Sequence, residues 1–452
     1  LNPKLKPVMK DRSNRRKFIK SAVASSVGIG LAQNIQAFNI LSTYPVKDKY
    51  KVAIMGINAR GMDHVGGYLK QSKAEVAYIC DVDQQALKKA LDVAGQGGAK
   101  PKGIADFRRA LEDKTVDVLS IAAPDHWHAP AAILGLKAGK HIYIEKPGSH
   151  NPAEAELLVE AMSKYSGKVV QMGNQRRSWP RVREAMQALH SGVIGRVYYA
   201  RAWYTNTRAS IGKGNIVPAP SHLDYELWQG PAPRKPYKDN LIHYNWHWHW
   251  NWGTGEVVNN GVHFIDLARW GLNVQYPRKV FSTGGRYQYK DDWETPDTQV
   301  ATFDFDDGKT IAWEGRSCNQ RSINEMGAGV SFHGEEGTLE LYNNSYKIYD
   351  NKGKLVKSAE PTTNTTVTQT GPGFDLDKEH FTNFFESIET GKVPNSIYTD
   401  CYKSVLLCHL ANISYRTGRA LDCDITNGHV KNDPDAMKLW TRDYESGWKP
   451  SI

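Results

Sequence analysis

Glu145-Lys146-Pro147 sets a lysine just after the short apolar run His141 to Ile144 and just before a residue that ends it. A lysine held there suits proton transfer, because desolvation and nearby cations lower its pKa toward neutrality. Glu145 beside it offers a charge partner. His263, in Gly261-Val262-His263-Phe264-Ile265-Asp266, is a second acid–base candidate. A helix that begins there and reaches Trp270 puts Asp266 three residues on, on the same face, where its carboxylate would orient the ring. Asn259, four residues before His263, cannot act as a base but can bind a hydroxyl. Together these side chains suit the removal of a proton from an alcohol.

Trp246, Trp248, Trp250 and Trp252 alternate with His247, His249 and Asn251. In an extended conformation the indoles would share one face and the polar groups the other. Indoles stack on the C–H faces of sugar rings while His and Asn bond hydroxyls, so a carbohydrate subsite containing His247 and Trp248 is expected. A core stripe or a dimer contact is the competing reading. No Cys or acidic set beside His247 and His249, or beside His126 and His128, completes a metal site, and no metal is expected. Asn174, Arg176 and Arg177 follow a strand end, which makes them candidates for substrate contact at the mouth of a cleft, with surface salt bridges as the alternative.

The elements that must position these groups begin with Lys51 to Met55, a short apolar run ending at Gly56-Ile57-Asn58-Ala59-Arg60-Gly61, after which Met62 to Leu69 can start a helix. Strand, glycine turn and helix in that order let a backbone approach a pyrophosphate, whose charge the helix N-terminus then holds. Asn58 stands where the fingerprint has its second Gly, and Asn tolerates positive φ better than most residues. The next run, Glu75 to Cys80, ends at Asp81, where a carboxylate would bond the adenosine ribose and repel a 2′-phosphate. NAD rather than NADP is the expected cofactor. Strands at Asp117 to Ala122, His141 to Ile144 and Lys168 to Met172 alternate with helices at Ala129 to Ala138 and Asn151 to Tyr165, which predicts a doubly wound parallel sheet. Ligands bind beyond the C-terminal strand ends of such sheets, so Ala123 to His128 and Glu145 to Pro147 point at one crevice.

GINARG, CDVD, APDHWHAP and EKP, in this order and spacing, resemble the Gfo/Idh/MocA family of NAD(P)-dependent oxidoreductases, which act largely on sugars and cyclitols. The resemblance continues through Gly173 to Arg177, residues 246–270 and HFTNFFESIETGK near residue 380. It implies an α/β protein with a Rossmann domain at 48–172 and, at 173–452, an α/β substrate domain with an open, largely antiparallel sheet and C-terminal helices. It also implies that Lys146 and His263 are catalytic and that Asn174, Arg176, His247, Trp248, Asn259 and His263 meet a carbohydrate. Gly56, Asn58, Ala59, Arg60, Gly61, Asp81, Pro124, His128, Glu145 and Lys146 would then line the cofactor. The family commonly has an Asp where this chain has Asn259, which makes His263 the better candidate base.

At 452 residues, 40% hydrophobic and 23% charged, the chain is long enough for two or three domains with cores of their own. Its net charge of +10 is concentrated at the N-terminus, where residues 1–37 carry eight basic side chains against Asp11 alone. Without that segment the charge falls to +3, and a nucleic-acid partner loses its support. Asn14-Arg15-Arg16-Lys17-Phe18 followed by a mildly apolar stretch resembles a twin-arginine export signal, which implies a leader at 1–37 and a periplasmic protein. The stretch is shorter than the roughly 20 residues a spanning helix needs, so no lasting membrane anchor is expected. Five widely spaced cysteines read as buried thiols, with a disulfide among the last three left open.

The expected reaction is NAD-dependent oxidation of a sugar or glycoside ring hydroxyl, by a homo-oligomer exported folded with its cofactor already loaded and tightly retained. A retained cofactor must be reset, which motivates a second reading. In it the sugar is oxidised transiently, a glycosidic bond is cleaved by elimination and the hydride returns, as in related exported α-N-acetylgalactosaminidases. Those relatives as a rule lack the EKP motif that this chain has. A sugar-binding protein with a vestigial cofactor site is the third reading, and intact Lys146 and His263 argue against it.

Overall fold

Six short segments make the first sheet: Tyr50–Met55 (β1), Ala74–Cys80 (β2), Lys102–Ile104 (β3), Val118–Ile121 (β4), His141–Ile144 (β5) and Val170–Met172 (β6). In this computed structural model, which describes residues 46–361 and 374–452, they pair in parallel in the order β3-β2-β1-β4-β5-β6. The central strands β4 and β5 are buried along their whole length, as strands covered by helices on both faces must be. Helices Arg60–Leu69, Gln84–Gln96, His128–Lys137 and Pro152–Lys164 make the crossovers. Their starts are written locally: Asp83 caps Gln85 and Ala86, and Asn151 caps Glu154 with Pro152 in the first turn. Strand order reverses between β1 and β4, which opens a crevice at their C-terminal ends.

The second sheet has nine strands: Val197–Thr205 (β7), Lys279–Gly285 (β8), Thr298–Phe305 (β9), Lys309–Arg316 (β10), Ala328–Gly334 (β11), Gly337–Tyr342 (β12), Ser345–Asp350 (β13), Leu355–Ala359 (β14) and Leu421–Asp422 (β15). They run in the order β14-β13-β12-β11-β7-β10-β9-β8-β15, antiparallel except between β7 and β10. Buried and open positions alternate along β8 and β9, the period of a sheet covered on one face. Helices Gly261–Leu272 and Tyr398–Thr417 cover that face, and Phe281 and Val300 stand exposed on the other. The α/β class and both sheets are as the sequence predicts.

Helix Phe374–Thr390 returns to the first sheet, where Phe381 meets Tyr68 and Tyr143 at ring distances of 4.5 and 4.9 Å and Phe384 and Phe385 are buried beside it. Each such ring contributes about 1.5–3 kcal/mol by burial, which ties the chain's later part to the first domain. β13 and β14 form a hairpin whose turn is at residues 351–354. The leader expected at 1–37 lies outside the described residues. All five cysteines are free thiols, four buried and Cys318 half-buried. Among the described residues no helix is long and apolar enough to cross a membrane.

Candidate active site

β1 delivers Gly56 into the turn at φ 76°, where a Cβ would stand 2.6 Å from the Ala123 backbone. A Cβ on Gly61 would lie 1.8 Å from the Gly56 carbonyl oxygen. Both positions therefore require glycine. The positive φ of the intervening turn does not fall on Asn58, as its residue type suggests, but on Ala59 at 46°. A non-glycine held in that region costs about 1–3 kcal/mol and persists only where its surroundings over-determine it. Asp81 does much of this: one carboxylate oxygen accepts the Ile57 N–H and the other the Asp83 N–H, both at 2.8 Å. Burial raises its pKa against those two donors.

These residues open on a cavity of about 360 Å³ whose wall includes Pro124, His128, Glu145, Lys146, Asn259 and His263. The cradle fits a dinucleotide. Gly56 and the backbone from Ile57 to Arg60 lie on the cavity surface, Gly61 packs behind the turn against the Gly56 carbonyl and does not line it, Asp81 stands on the wall, and one Glu145 oxygen is buried without a partner.

Lys146 donates to the Asn259 carbonyl at 2.8 Å and to Asn259 Oδ1 at 2.7 Å. Burial lowers its pKa, opposed by Asp125, Glu145 and Glu256. Glu145 is not its bonding partner. Oε1 of Glu145 accepts from Arg60, Gln175 and His64 at 2.9 to 3.0 Å. Burial pushes this carboxyl up, but Arg60 and His64 outweigh it and hold it well below the usual range. Arg60 also grips Asp377 through two bonds of 2.7 and 2.9 Å, so its side chain pins the turn to helix Phe374–Thr390. The ring of His128 is likewise committed, with Nε2 2.7 Å from the Ala123 carbonyl and Nδ1 accepting the Gly148 N–H, and burial lowers its pKa to about 4.

His263 is 5% exposed, lines the cavity and has a buried Nδ1 without a partner. Burial, with Arg176 adding to it, lowers its pKa well below the ordinary value, so the ring is neutral. Asp266 does not orient it. That carboxylate takes two bonds of 2.7 Å from Arg177 and a third from Ser404, because a buried aspartate finds its guanidinium within the fold. Arg176 and Asn174 are buried behind the cavity and do not line it. The Arg176 guanidinium lies between the Trp179 and Phe264 rings at 4.9 and 4.8 Å.

The tryptophan run is not a strand. Asn245–Trp248 forms a 3-10 turn, and bonds from Gly253 to His249 and from Gly255 to His247 close the chain behind it. Four indoles on one face of a strand would leave much apolar surface wet, whereas the turn buries Trp246 and Trp252 in one cluster with Trp228, stacks Trp248 on Trp293 and leaves Trp250 half-buried. Trp248, 1% exposed, stacks on Trp293 at 4.0 Å and offers a sugar no face. His247 does line the cavity, held by the Tyr244 carbonyl at 2.6 Å and stacked on Trp246.

Sequence reasoning missed the wall built by the end of β7: Tyr204, Asn206 and Arg208 line the cavity with Tyr244. Arg208 is fixed by Glu256 at 2.6 Å and bonds Tyr244 at 2.9 Å. The polar run Tyr204 to Arg208 at a strand end was the available signal. Asp125, in the segment expected at the crevice but given no role there, lines the cavity: burial pushes its carboxyl up to about 6, against the Thr254 hydroxyl at 2.5 Å and Lys146. The segment after β7 also straps the cradle. His222 accepts from the Gln84 N–H, Val82 from the Asp224 N–H, and His243 bonds Asp83 at 2.7 Å.

A dinucleotide cradle facing a lysine and a neutral histidine beneath an open sheet defines a Rossmann-type oxidoreductase with a separate substrate domain. The chain belongs to the Gfo/Idh/MocA oxidoreductase family. Residues 50–174 match its NAD-binding Rossmann fold and residues 199–450 its C-terminal alpha/beta domain. NAD is the cofactor of that first domain. A glycosyl hydrolase family 109 protein of Shewanella baltica is 27% identical over 213 residues, which are 42% of this chain and 46% of that protein. The match thus spans less than half of the relative. Levoglucosan dehydrogenase in complex with NADH and L-sorbose has the same fold at a TM-score of 0.65 and 18% identity, over 83% of this chain and 99% of that one. So does the WlbA dehydrogenase of Bordetella pertussis in complex with NADH and UDP-GlcNAcA, at 0.62 and 19% over the same shares.

Proposed function

We propose that this protein oxidises a ring hydroxyl of a sugar or glycoside, in the periplasm, with an NAD it holds tightly. The observation that carries this reading is the desolvated Lys146 amine, held by Asn259 on the same cavity as the Gly56–Gly61 cradle and the neutral His263. The turn from Gly56 to Arg60 and Asp81 would hold NAD, which would supply the hydride acceptor for the carbinol carbon. Lys146 takes the hydroxyl proton at Nζ, which its lowered pKa favours. His263, neutral and with a nitrogen unpartnered, passes that proton on, and the Asn259 amide orients the hydroxyl. Tyr204, Asn206, Arg208, Tyr244 and His247 present donors and acceptors to the remaining hydroxyls.

The strap from β7 to His243 supports tight retention, and the arginine pair at residues 15 and 16 supports folded export. A homo-oligomer belongs to the same reading, and the exposed sheet face carrying Phe281 and Val300 supports it. Sedimentation checks that part. Similarity to the Shewanella glycosyl hydrolase family 109 protein favours a second reading, redox-neutral glycoside cleavage through transient oxidation. Incubating the NAD-loaded protein with a panel of glycosides separates the two. A product two hydrogens lighter supports dehydrogenation, and an aglycone with an unoxidised sugar supports cleavage. Protein that neither retains nor binds NAD overturns both.

A further inference from the structure

We propose a second ligand site, for a sugar-sized organic anion, in the cavity between the Trp250 turn, helix Tyr398–Thr417 and the chain's last residues. It measures about 480 Å³, within the range of small-molecule sites, and shares no lining residue with the catalytic cleft. Its polar floor is built and incomplete. Asn412, 6% exposed, donates Nδ2 to the Thr254 carbonyl at 2.7 Å, while its Oδ1 is buried with no partner. The Arg442 side chain, 10% exposed, bonds Glu154 and the His126 carbonyl at 2.9 Å, yet its Nη1 is buried and unpartnered. A buried guanidinium N–H left without an acceptor is a deficit that a ligand oxygen makes good.

The rim is basic. Arg416 lies over the half-buried Trp250 ring at 4.9 Å and makes no ion pair among the described residues, and Lys235 stands exposed nearby. Of the acidic residues on the lining, Glu294 is already engaged by His249 and the Trp250 N–H, and Asp443 is exposed. A guanidinium at the floor, cations at the mouth, a free amide acceptor and an indole edge together select a molecule that carries a carboxylate, hydroxyls and C–H surface. A bare inorganic ion would fill only a small part of the volume and leave the Asn412 oxygen unmet.

The wall between the two cavities is a short chain of bonds. Asn412 holds the Thr254 carbonyl, and the Thr254 hydroxyl donates to Asp125 in the cleft at 2.5 Å. The occupant therefore sits two hydrogen bonds from a cleft carboxyl while touching none of the cleft itself.

The test titrates glucuronate, glucose and inorganic phosphate by calorimetry into the NAD-loaded full chain and its Arg416→Gln and Lys235→Gln variants. Neither position makes, among the described residues, an ion pair whose loss would disturb folding, and NADH affinity, measured alongside, should stay unchanged. The expected result is that glucuronate binds more tightly than either control and that Arg416→Gln weakens it about tenfold or more, with a smaller loss in Lys235→Gln. Absence of glucuronate binding overturns the proposal, as does glucose or phosphate binding equally well. Glucuronate affinity unchanged in both variants places the binding in the catalytic cleft and overturns it as well.

Discussion

Replacing Asn259 with Leu removes the Oδ1 acceptor 2.7 Å from the Lys146 amine and leaves the backbone carbonyl at 2.8 Å in place. Hydrogen bonds to charged groups are worth about 1.5–3 kcal/mol and those between neutral groups about 0.5–1.5 kcal/mol, so the loss penalises the ammonium over the amine by about 1–1.5 kcal/mol. At about 1.36 kcal/mol per pH unit, Lys146 then gives up its proton about one unit lower, and the acid limb of the rate profile moves down with it. Asn259→Asp works in the opposite sense. A carboxylate beside the amine favours the ammonium and should move the limb about one to three units higher. The assay is kcat/KM against pH on NAD-loaded protein, with the glycoside that the panel identifies. Limb position is what counts, since Leu also removes a hydroxyl contact and lowers the rate at every pH. A limb unmoved in Asn259→Leu, or displaced in the same direction in both variants, refutes Lys146 as the group whose deprotonation starts the reaction. So does an acid-range limb in Asn259→Asp, which would make the new carboxylate the base.

Asp81→Ala should weaken NAD about tenfold or more and NADP less, because it removes ribose bonds, two backbone bonds of the turn and the repulsion of a 2′-phosphate. Fluorescence titration of both nucleotides checks this, and equal losses contradict a ribose contact. Lys146→Ala and His263→Ala should each cut turnover by about 10²–10⁴ while NAD stays bound through gel filtration. Near-normal turnover in either removes that residue from the mechanism. For Asp125 the folded carboxyl lies at about 6 against an ordinary 3.8. A carboxyl raised on folding costs stability above its folded pKa and none below its unfolded one. Asp125→Asn, which keeps an acceptor for Thr254, should therefore stabilise by about 3 kcal/mol near pH 8 and by almost nothing near pH 3. Calorimetric melting at both pH values decides it. Changing Arg15 and Arg16 to Lys should strand the protein in the cytoplasm with its lysate activity intact, and its normal appearance in the periplasmic fraction would remove the export assignment.

Sequence alone determined what is local. The strand, glycine turn and helix at residues 51–69 are legible because each depends on neighbours a few residues apart: an apolar run, a turn only glycine tolerates, an amphipathic helix. Lys146 was legible for the same reason, as a charged residue at a strand end in a fold whose strand ends face ligands. Tertiary structure decided the rest. Asn259 becomes the Lys146 partner across 113 residues, a pairing that no spacing encodes. Asp266 shares a helical face with His263, yet the nearest guanidinium and hydroxyl in space, Arg177 and Ser404, claim it. The alternating tryptophans fit an extended segment, but three of the indoles are buried against distant partners, Trp248 on Trp293 and Trp246 and Trp252 with Trp228, and the backbone turns to reach them. Local pattern sets which conformations a segment can adopt, while desolvation and charge pairing among distant elements select which neighbour each polar group meets and hence which of them face the cleft.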